Sequence, residues 1–260
     1  MLTQTQRAAF DRDGLIRLPG AVPRDDALGM ATRIREFLAT EDAIRLNGED
    51  EDLAQRPGGF QSLARAGAFD RIDVSAIPAA LDDLFGSEGW ERPPHWGRPL
   101  VTYKVSDQPW DVPTSSSWHI HQRTGADGIL QRVNIFVVLS TLRPRGGGTL
   151  FLTGSHRLIA EFSQHGAKTK ALRRILGERD LWLAGLWGST PAAPFERRTR
   201  YLDEGVVIDG ISLNVVEATG EPGDTYLMRT DIFHCAAPNA LDEPRIMLVG
   251  GVSRLAERDG

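Results

Sequence analysis

From Leu100 onward, the chain alternates short apolar stretches with turns rich in glycine and proline. Val133–Leu139 is the clearest stretch, because branched and aromatic residues dominate it, as is typical of a buried strand. Further strands are predicted at Leu100–Val105, Thr149–Leu152, Gly205–Ile211, Ser212–Ala218, Thr225–Met228 and Ile246–Val252. Short strands at regular spacing favour a mainly β fold with flanking helices, in the form of a jelly roll or a barrel.

The N-terminal part of the chain has a different pattern. Thr3 begins a capping-box pattern that predicts a helix, and Gly14 is placed to end it. A second helix is predicted from about Pro23, since apolar residues follow it at helical spacing. Residues 41–98 are polar, and we expect loops there with a short helix near Ala79–Phe85.

A chain of 260 residues is long enough for one sizeable core, and β barrels and sandwiches often reach this length as one domain. We therefore expect a single domain. Its parts are predicted as an N-terminal helical and loop part (1–98), a jelly-roll core (99–157 and 201–255) and an insertion or lid (158–200) with helical character around Lys168–Leu176.

Composition excludes several classes of protein. A formal net charge of -5, with Lys and Arg spread along the chain, argues against a nucleic-acid partner, which would favour a positive surface. A single cysteine, Cys235, excludes an internal disulfide framework and suits a reducing compartment. No secretory signal and no apolar run of membrane-spanning length are visible, so we expect a cytoplasmic protein that does not span a membrane.

Three histidines form a candidate metal site. Alternate residues of an extended strand point to the same face, so His119 and His121 can converge on one point. His234 lies 115 residues later and can face them across a jelly roll. Imidazoles suit a borderline metal such as Fe(II), Zn or Cu, and three protein ligands leave positions open. A His-x-His pair also occurs on ordinary surfaces, so the pair by itself leaves the role open.

Arg245 follows His234 by eleven residues, across a turn that contains Pro238-Asn239. An arginine there can hold a carboxylate through a bidentate, charge-assisted pair, although an isolated arginine is usually a surface residue. The other chemically interesting side chains are given structural roles. They are His95 and His165 in turns, His156 as a turn-stabilising hydrogen-bonding group, and Cys235 as a packing residue on the opposite side of its strand.

Taken together, these motifs resemble the phytanoyl-CoA dioxygenase family of non-haem iron oxygenases. The N-terminal residues from Leu2 to Ile16 are similar to the family's opening. The segment Gly147–His156 resembles its glycine-rich turn ending in Pro-Gly-Ser-His, with Thr153 in place of the proline. Gly223-Asp224, His234, Asn239 and Arg245 resemble its C-terminal signature, and the likeness extends to about Arg254.

The resemblance implies a double-stranded β-helix of the cupin type that holds Fe(II), with 2-oxoglutarate as cosubstrate. It also implies that His119 and His234 are iron ligands and that Arg245 binds the distal carboxylate of 2-oxoglutarate. The predicted strand before the first ligand corresponds to a family strand that contacts the cosubstrate. Thr102 is the candidate there, and Lys104 shares its strand face.

The sequence departs from the family at His121, where the family motif His-x-Asp has a carboxylate. Replacing that carboxylate with neutral imidazole removes one negative charge beside the metal, a change on the order of several kcal/mol. Three alternatives follow. His121 ligates in place of Asp, Asp127 supplies the carboxylate instead, or the site is weak or inactive.

Three functions fit these observations. The first is a 2-oxoglutarate-dependent dioxygenase that uses O2 to hydroxylate a small organic molecule, with Trp182 and Trp187 in a lid or in the core. The second is a three-histidine metal dioxygenase that does not use 2-oxoglutarate, and Arg245 argues against it. The third is a non-catalytic binding protein with a degenerate metal site, which His121 favours. The substrate and the oligomeric state are not predicted.

Overall fold

The computed structural model of the chain describes residues 1–40, 59–104, 110–114, 117–121, 129–160, 169–188 and 194–255. In these residues, nine strands form two antiparallel sheets. In chain order, the strands are β1 (Leu15–Leu18), β2 (Arg98–Thr102), β3 (Arg132–Val138), β4 (Thr149–Thr153), β5 (Val206–Ile208), β6 (Ile211–Glu217), β7 (Thr225–Arg229), β8 (His234–Ala236) and β9 (Arg245–Ser253).

The two sheets pack face to face. The larger one has the strand order β1-β7-β3-β9-β2 and the smaller one β5-β6-β4-β8. Phe136, Met228 and Met247 from the first sheet meet Phe151 and Ala218 from the second in one buried cluster. This arrangement confirms the predicted mainly β, jelly-roll fold with flanking helices.

Helices cover the outer faces of both sheets. They are α1 (Gln4–Asp13), α2 (Arg24–Leu38), α3 (Gln61–Arg65), α4 (Ile77–Phe85), α5 (Ser155–Ala160), α6 (Thr169–Arg179), α7 (Leu181–Leu186) and α8 (Pro194–Arg198), with a 3-10 turn at Asp70–Val74 and a π-helical turn at Thr199–Glu204. The predicted capping box on Thr3 and the left-handed cap at Gly14 are both present. Within the described ranges, no helix is both long and apolar enough to cross a bilayer.

The two faces of strand β3 contribute to two different hydrophobic clusters. Val133, Ile135 and Val137 pack outward against the N-terminal helices. Phe136 and Val138, on the opposite face, point between the sheets. Side chains alternate between the two faces of a strand, so the polar residues of β3 that alternate with Val133, Ile135 and Val137 also lie on the inner face.

Some predicted boundaries were wrong. The stretch Gly205–Ile211 is not one strand, because Asp209 and Gly210 both have positive φ and turn the chain between β5 and β6. Asp-Gly suits such a two-residue hairpin turn, since both of its central positions need that conformation. The strand predicted at Leu100–Val105 begins at Arg98 and ends at Thr102, and helix α6 extends beyond Leu176 to Arg179.

Candidate metal centre

The backbone of His119 is hydrogen-bonded to that of His234. Each residue donates its N–H to the carbonyl of the other at 3.0 Å, as in an antiparallel strand pair. His234 begins β8, which pairs with β4 through the partners Phe151 and His234. Two residues 115 positions apart are thereby held side by side on the inner face of the smaller sheet.

The segment around His119 and His121 pairs with β8 through an isolated bridge and is not part of a regular strand. The expected alternation is nevertheless present. Trp118 and Ile120 pack into the core behind the smaller sheet, while the two histidine rings turn the other way. A backbone bond from His121 N to the Thr230 carbonyl, at 3.0 Å, holds the end of this segment.

The three imidazoles meet at one point. Nε2 of His121 lies 3.2 Å from Nε2 of His119 and 3.3 Å from Nε2 of His234. All three ligand atoms are within 4.8 Å of one another. Two nitrogens at about 2.1 Å from one metal ion are about 3.0 Å apart at a right angle and about 3.4 Å apart at a tetrahedral angle. The two measured separations fall between these values.

Hydrogen bonds on the far side of two rings fix their tautomers. Nδ1 of His119 lies 2.9 Å from the Ser117 carbonyl, and Nδ1 of His234 lies 3.1 Å from the Ile232 carbonyl. A carbonyl only accepts, so each Nδ1 carries the hydrogen and each neutral ring has its lone pair on Nε2. Metal-binding histidines are typically oriented in this way by a second contact.

Asn134 makes the corresponding contact with His121, at 2.6 Å between its side-chain amide and Nδ1. With the amide nitrogen facing the ring, His121 carries its hydrogen on Nε2 and can donate to the two neighbouring imidazoles. With the amide oxygen facing the ring, the hydrogen moves to Nδ1 and Nε2 offers a lone pair. The orientation of the Asn134 amide therefore determines whether Nε2 of His121 donates a hydrogen bond or offers a lone pair to a metal.

The surroundings of His234 and His121 favour the neutral form of the imidazole, which is the form that binds a metal. Burial, followed by the charges of His119 and His121, lowers the pKa of His234 to about 3. Burial also lowers the pKa of His121, and the charges of His119, Arg132 and Arg98 act in the same direction. The donor set and its spacing therefore fit a divalent transition metal.

Residues behind the centre hold His234 in place. The hydroxyl of Ser155 accepts from Phe233 N at 3.0 Å and donates to the Leu152 carbonyl at 2.7 Å. The ring of Phe233 packs on Trp187, with ring centroids 5.0 Å apart. Cys235 is fully buried beside them, and burial raises its thiol pKa, in agreement with the packing role predicted for it.

Arg245 and Thr102 form a second polar group. They are partners across β9 and β2, and both are buried. The Arg245 guanidinium donates to Thr102 Oγ1 at 2.7 Å and to the Gly147 carbonyl at 2.5 Å. Because the hydroxyl accepts from the arginine, its own hydrogen can be donated to a further acceptor such as a carboxylate. Both residues line a cavity of about 440 Å³ along β2; the three histidines do not line it.

The turn between His234 and Arg245 is held by Asn239. Its side-chain nitrogen donates to the carbonyls of Thr102 at 3.1 Å and Glu243 at 2.9 Å, while its oxygen accepts from Leu241 N at 2.9 Å. Lys104, which was predicted to share the strand face of Thr102, lies beyond the end of β2 and bonds Asp242 at 3.1 Å.

Glu217 supports the glycine-rich turn that contacts Arg245. Its carboxylate accepts from Arg145 N at 2.8 and 3.1 Å. Gly147, two residues on, has φ of 82°, and a Cβ there would lie 2.9 Å from Cβ of Asn239. Only glycine therefore fits this position without strain. Burial raises the pKa of Glu217 to about 7.

Glu217→Gln is expected to stabilise the protein at alkaline pH. The folded state holds the Glu217 proton more tightly than the unfolded state, so this group's stabilisation is complete below about pH 4.5 and is lost as pH rises through about 7. Glutamine cannot ionise and still accepts from Arg145. Urea unfolding should show the variant more stable by roughly 2–3 kcal/mol at pH 8 and nearly equal at pH 4.5. An equal difference at both values would contradict the explanation.

The remaining histidines lie away from the centre where they are described. His95 is exposed, and His156, predicted to stabilise a turn, instead lies in α5 and bonds the Asp11 carbonyl of α1 at 3.1 Å. His165 and Asp127 lie outside the described residues. Sequence reasoning missed Asn134, although a polar residue inside the apolar stretch Val133–Leu139 was a usable signal.

Trp182 and Trp187, predicted either in a lid or in the core, are both buried in the cluster behind the smaller sheet. Trp187 also packs edge-on against Trp118, beside the first histidine.

Comparison with known proteins identifies solved structures of the same fold. No protein-family model matches the chain, and no curated protein matches it. The non-heme alpha-ketoglutarate-dependent epimerase SnoN from nogalamycin biosynthesis is 17% identical, with a TM-score of 0.58 over 96% of this chain and 82% of that one. HygX from Streptomyces hygroscopicus is 17% identical, with a TM-score of 0.54 over 98% and 88%. EctD from S. alaskensis is 19% identical, with a TM-score of 0.56 over 97% and 77%.

Proposed function

We propose that this protein is a non-haem Fe(II)- and 2-oxoglutarate-dependent dioxygenase that hydroxylates a small organic molecule. His119, His121 and His234 hold the iron. The observation that carries the proposal is the position of three Nε2 atoms, since that of His121 lies 3.2 Å from that of His119 and 3.3 Å from that of His234. Backbone carbonyls bonded to Nδ1 of His119 and His234 leave the Nε2 lone pairs of these two rings directed into the cluster. Packing alone does not require three imidazoles to face one another.

Arg245 and Thr102 are proposed to bind the distal carboxylate of 2-oxoglutarate. A guanidinium and a hydroxyl side by side match the two oxygens of a carboxylate in charge and geometry. The cavity they line, about 440 Å³, is large enough for a five-carbon diacid. When bound, Fe(II), 2-oxoglutarate and O2 supply the oxidation of a C–H bond, while the chain supplies binding, orientation and exclusion of water.

The solved structures of this fold support the proposal. SnoN has been solved with Fe3+, alpha-ketoglutarate and nogalamycin RO, HygX with nickel, 2-oxoglutarate and hygromycin B, and EctD with 2-oxoglutarate and 5-hydroxyectoine. Those proteins bind different small molecules on one fold, so the likeness supports the cosubstrate more than any particular substrate. Membership of the phytanoyl-CoA dioxygenase family stays a prediction.

Anaerobic titration of the Fe(II)-loaded protein with 2-oxoglutarate tests the proposal. The wild type should develop the visible charge-transfer band of the iron chelate. Arg245→Ala should lose the band at concentrations that saturate the wild type, because the loss of a buried charge-assisted pair weakens binding by at least about tenfold. Thr102→Val, which keeps the side-chain shape, should weaken it less. Fe(II) affinity should stay unchanged in both variants.

A three-histidine dioxygenase that does not use 2-oxoglutarate is the second candidate, favoured by an imidazole at position 121, where the resembled family has a carboxylate. Iron binding without a band would support this function instead. Absence of iron binding would leave a binding protein with a degenerate metal site.

A further inference from the structure

Two arginines lie on the inner face of the larger sheet, near the metal centre. Arg132 and Asn134 are alternate residues of β3 and so share a face. Asn134 contacts the ring of His121, which identifies this face as the one that looks toward the centre. Arg98 lies two strands away, on β2, with β9 between them.

The register of β9 shows that Arg98 also belongs to this face. Arg98 pairs with Val249, and Arg132 pairs with Ser253. Val249 and Ser253 are four positions apart on one strand, so they share a face, and paired residues in antiparallel strands point to the same side.

Gly251 provides the space for one of these guanidinium groups. It lies between Val249 and Ser253 on the same face and pairs with Asn134. A Cβ at Gly251 would be 2.3 Å from Nη2 of Arg132 and 2.8 Å from its Cζ. The Arg132 guanidinium therefore lies flat over the glycine, where its Nη1 donates to the Ser253 hydroxyl at 2.9 Å.

Neither arginine has an acidic partner in the described part of the chain. Many other arginines there do, including Arg71 with Asp26 at 2.9 Å. Three neutral imidazoles leave a divalent metal ion with its full charge, so two additional cations would make this region strongly positive in a chain whose net charge is -5. A cleft lined by charges of one sign attracts ligands of the opposite charge.

We propose that Arg98 and Arg132 form the recognition site for an anionic group, a carboxylate, phosphate or sulfonate, of the organic substrate. The proposal rests on the proposed function. Arg98 also lines the cavity that contains Thr102 and Arg245, so the proposed anion site adjoins the proposed cosubstrate site. Guanidinium groups suit oxyanions because their donors are arranged as a planar fork.

Ligand-observed NMR on the full-length protein, loaded with Zn(II) and 2-oxoglutarate so that no turnover occurs, tests this site. The probes are 3-phenylpropanoate, phenylphosphonate and benzenesulfonate, with neutral 3-phenylpropanamide as the matched uncharged probe. At least one anion should bind the wild type about tenfold more tightly than the amide. The anion that binds best identifies which oxyanion the site prefers.

The variants Arg98→Gln and Arg132→Gln should each weaken binding of that anion by about tenfold and leave the amide unchanged. Gly251→Ala should have a similar effect, because its methyl group displaces the Arg132 guanidinium without removing any charge. Arg71→Gln, which removes a distant arginine, is the control and should bind like the wild type. Arg98→Lys and Arg132→Lys should retain part of the affinity.

Three results would overturn the proposal. One is equal binding of all anions and the amide to the wild type, and another is unchanged anion affinity in both glutamine variants. The third is weaker 2-oxoglutarate binding in those variants, which would assign the arginines to the cosubstrate. Failure of the proposed function is distinct, because the wild-type Fe(II) protein would then show no charge-transfer band at all.

Discussion

His234→Ala is expected to abolish Fe(II) binding, lowering the affinity by at least about a hundredfold. Loss of a residue that merely orients a ligand typically lowers metal affinity 10–100-fold, so loss of the ligand itself should have a larger effect. His234 is the most buried of the three histidines, at 3% exposure, and is fixed by its backbone pair with His119. Anaerobic competition with a chromophoric chelator measures the affinity.

His95→Ala is the matched control, because His95 is exposed and lies outside the cluster. It should bind iron like the wild type. Circular dichroism should show that His234→Ala keeps its β structure, since Ser155 still holds the preceding residue through Phe233 N. A folded His234→Ala protein that binds Fe(II) normally would contradict the proposed centre.

The fold could be predicted from the sequence where local chemistry determines it. The capping box at Thr3, the glycine cap at Gly14 and the apolar run of β3 are all local signals. The hairpin at Asp209-Gly210 was equally local but was missed, because the apolar residues on both sides read as one continuous strand. The pairing order of the strands could not be predicted from local signals, because β1 pairs with β7 across about two hundred residues.

The candidate site was also predictable only in part. His119, His121, His234 and Arg245 were selectable from residue type and spacing, and the structure brings the histidines together. The contacts around them depend on register between distant strands, which no local pattern contains. Asn134 meets His121 only because β3 lies beside the segment that carries that ring.

The signature residues that resemble the phytanoyl-CoA dioxygenase family fall into two groups. His234 and Arg245 belong to the candidate site, whereas Asp224 joins β1 to β7 by accepting from Arg17 at 2.6 Å and Gly20 N at 2.8 Å. Asn239 holds the intervening turn. A motif match therefore reports the scaffold as much as the chemistry, which explains why resemblance indicated the fold more firmly than the reaction.

His121→Asp is expected to retain or raise Fe(II) affinity, whereas His121→Ala should lower it at least about tenfold. Aspartate restores the carboxylate of the resembled motif, and a negative charge a few ångströms from a divalent ion contributes on the order of several kcal/mol even after dielectric screening. Alanine removes the donor altogether. The comparison isolates His121, because the carbonyl contacts that orient His119 and His234 do not involve it.

His121→Asn separates charge from shape, since asparagine matches aspartate in size but is neutral. It should bind Fe(II) more weakly than His121→Asp, and closer to His121→Ala, if the carboxylate charge is what strengthens the site. The same chelator competition ranks all four proteins. Equal affinity in the wild type, His121→Asp and His121→Ala would show that His121 is not a ligand, which would leave a two-histidine site. In that case, a carboxylate supplied from elsewhere, as predicted for Asp127, becomes the explanation to test.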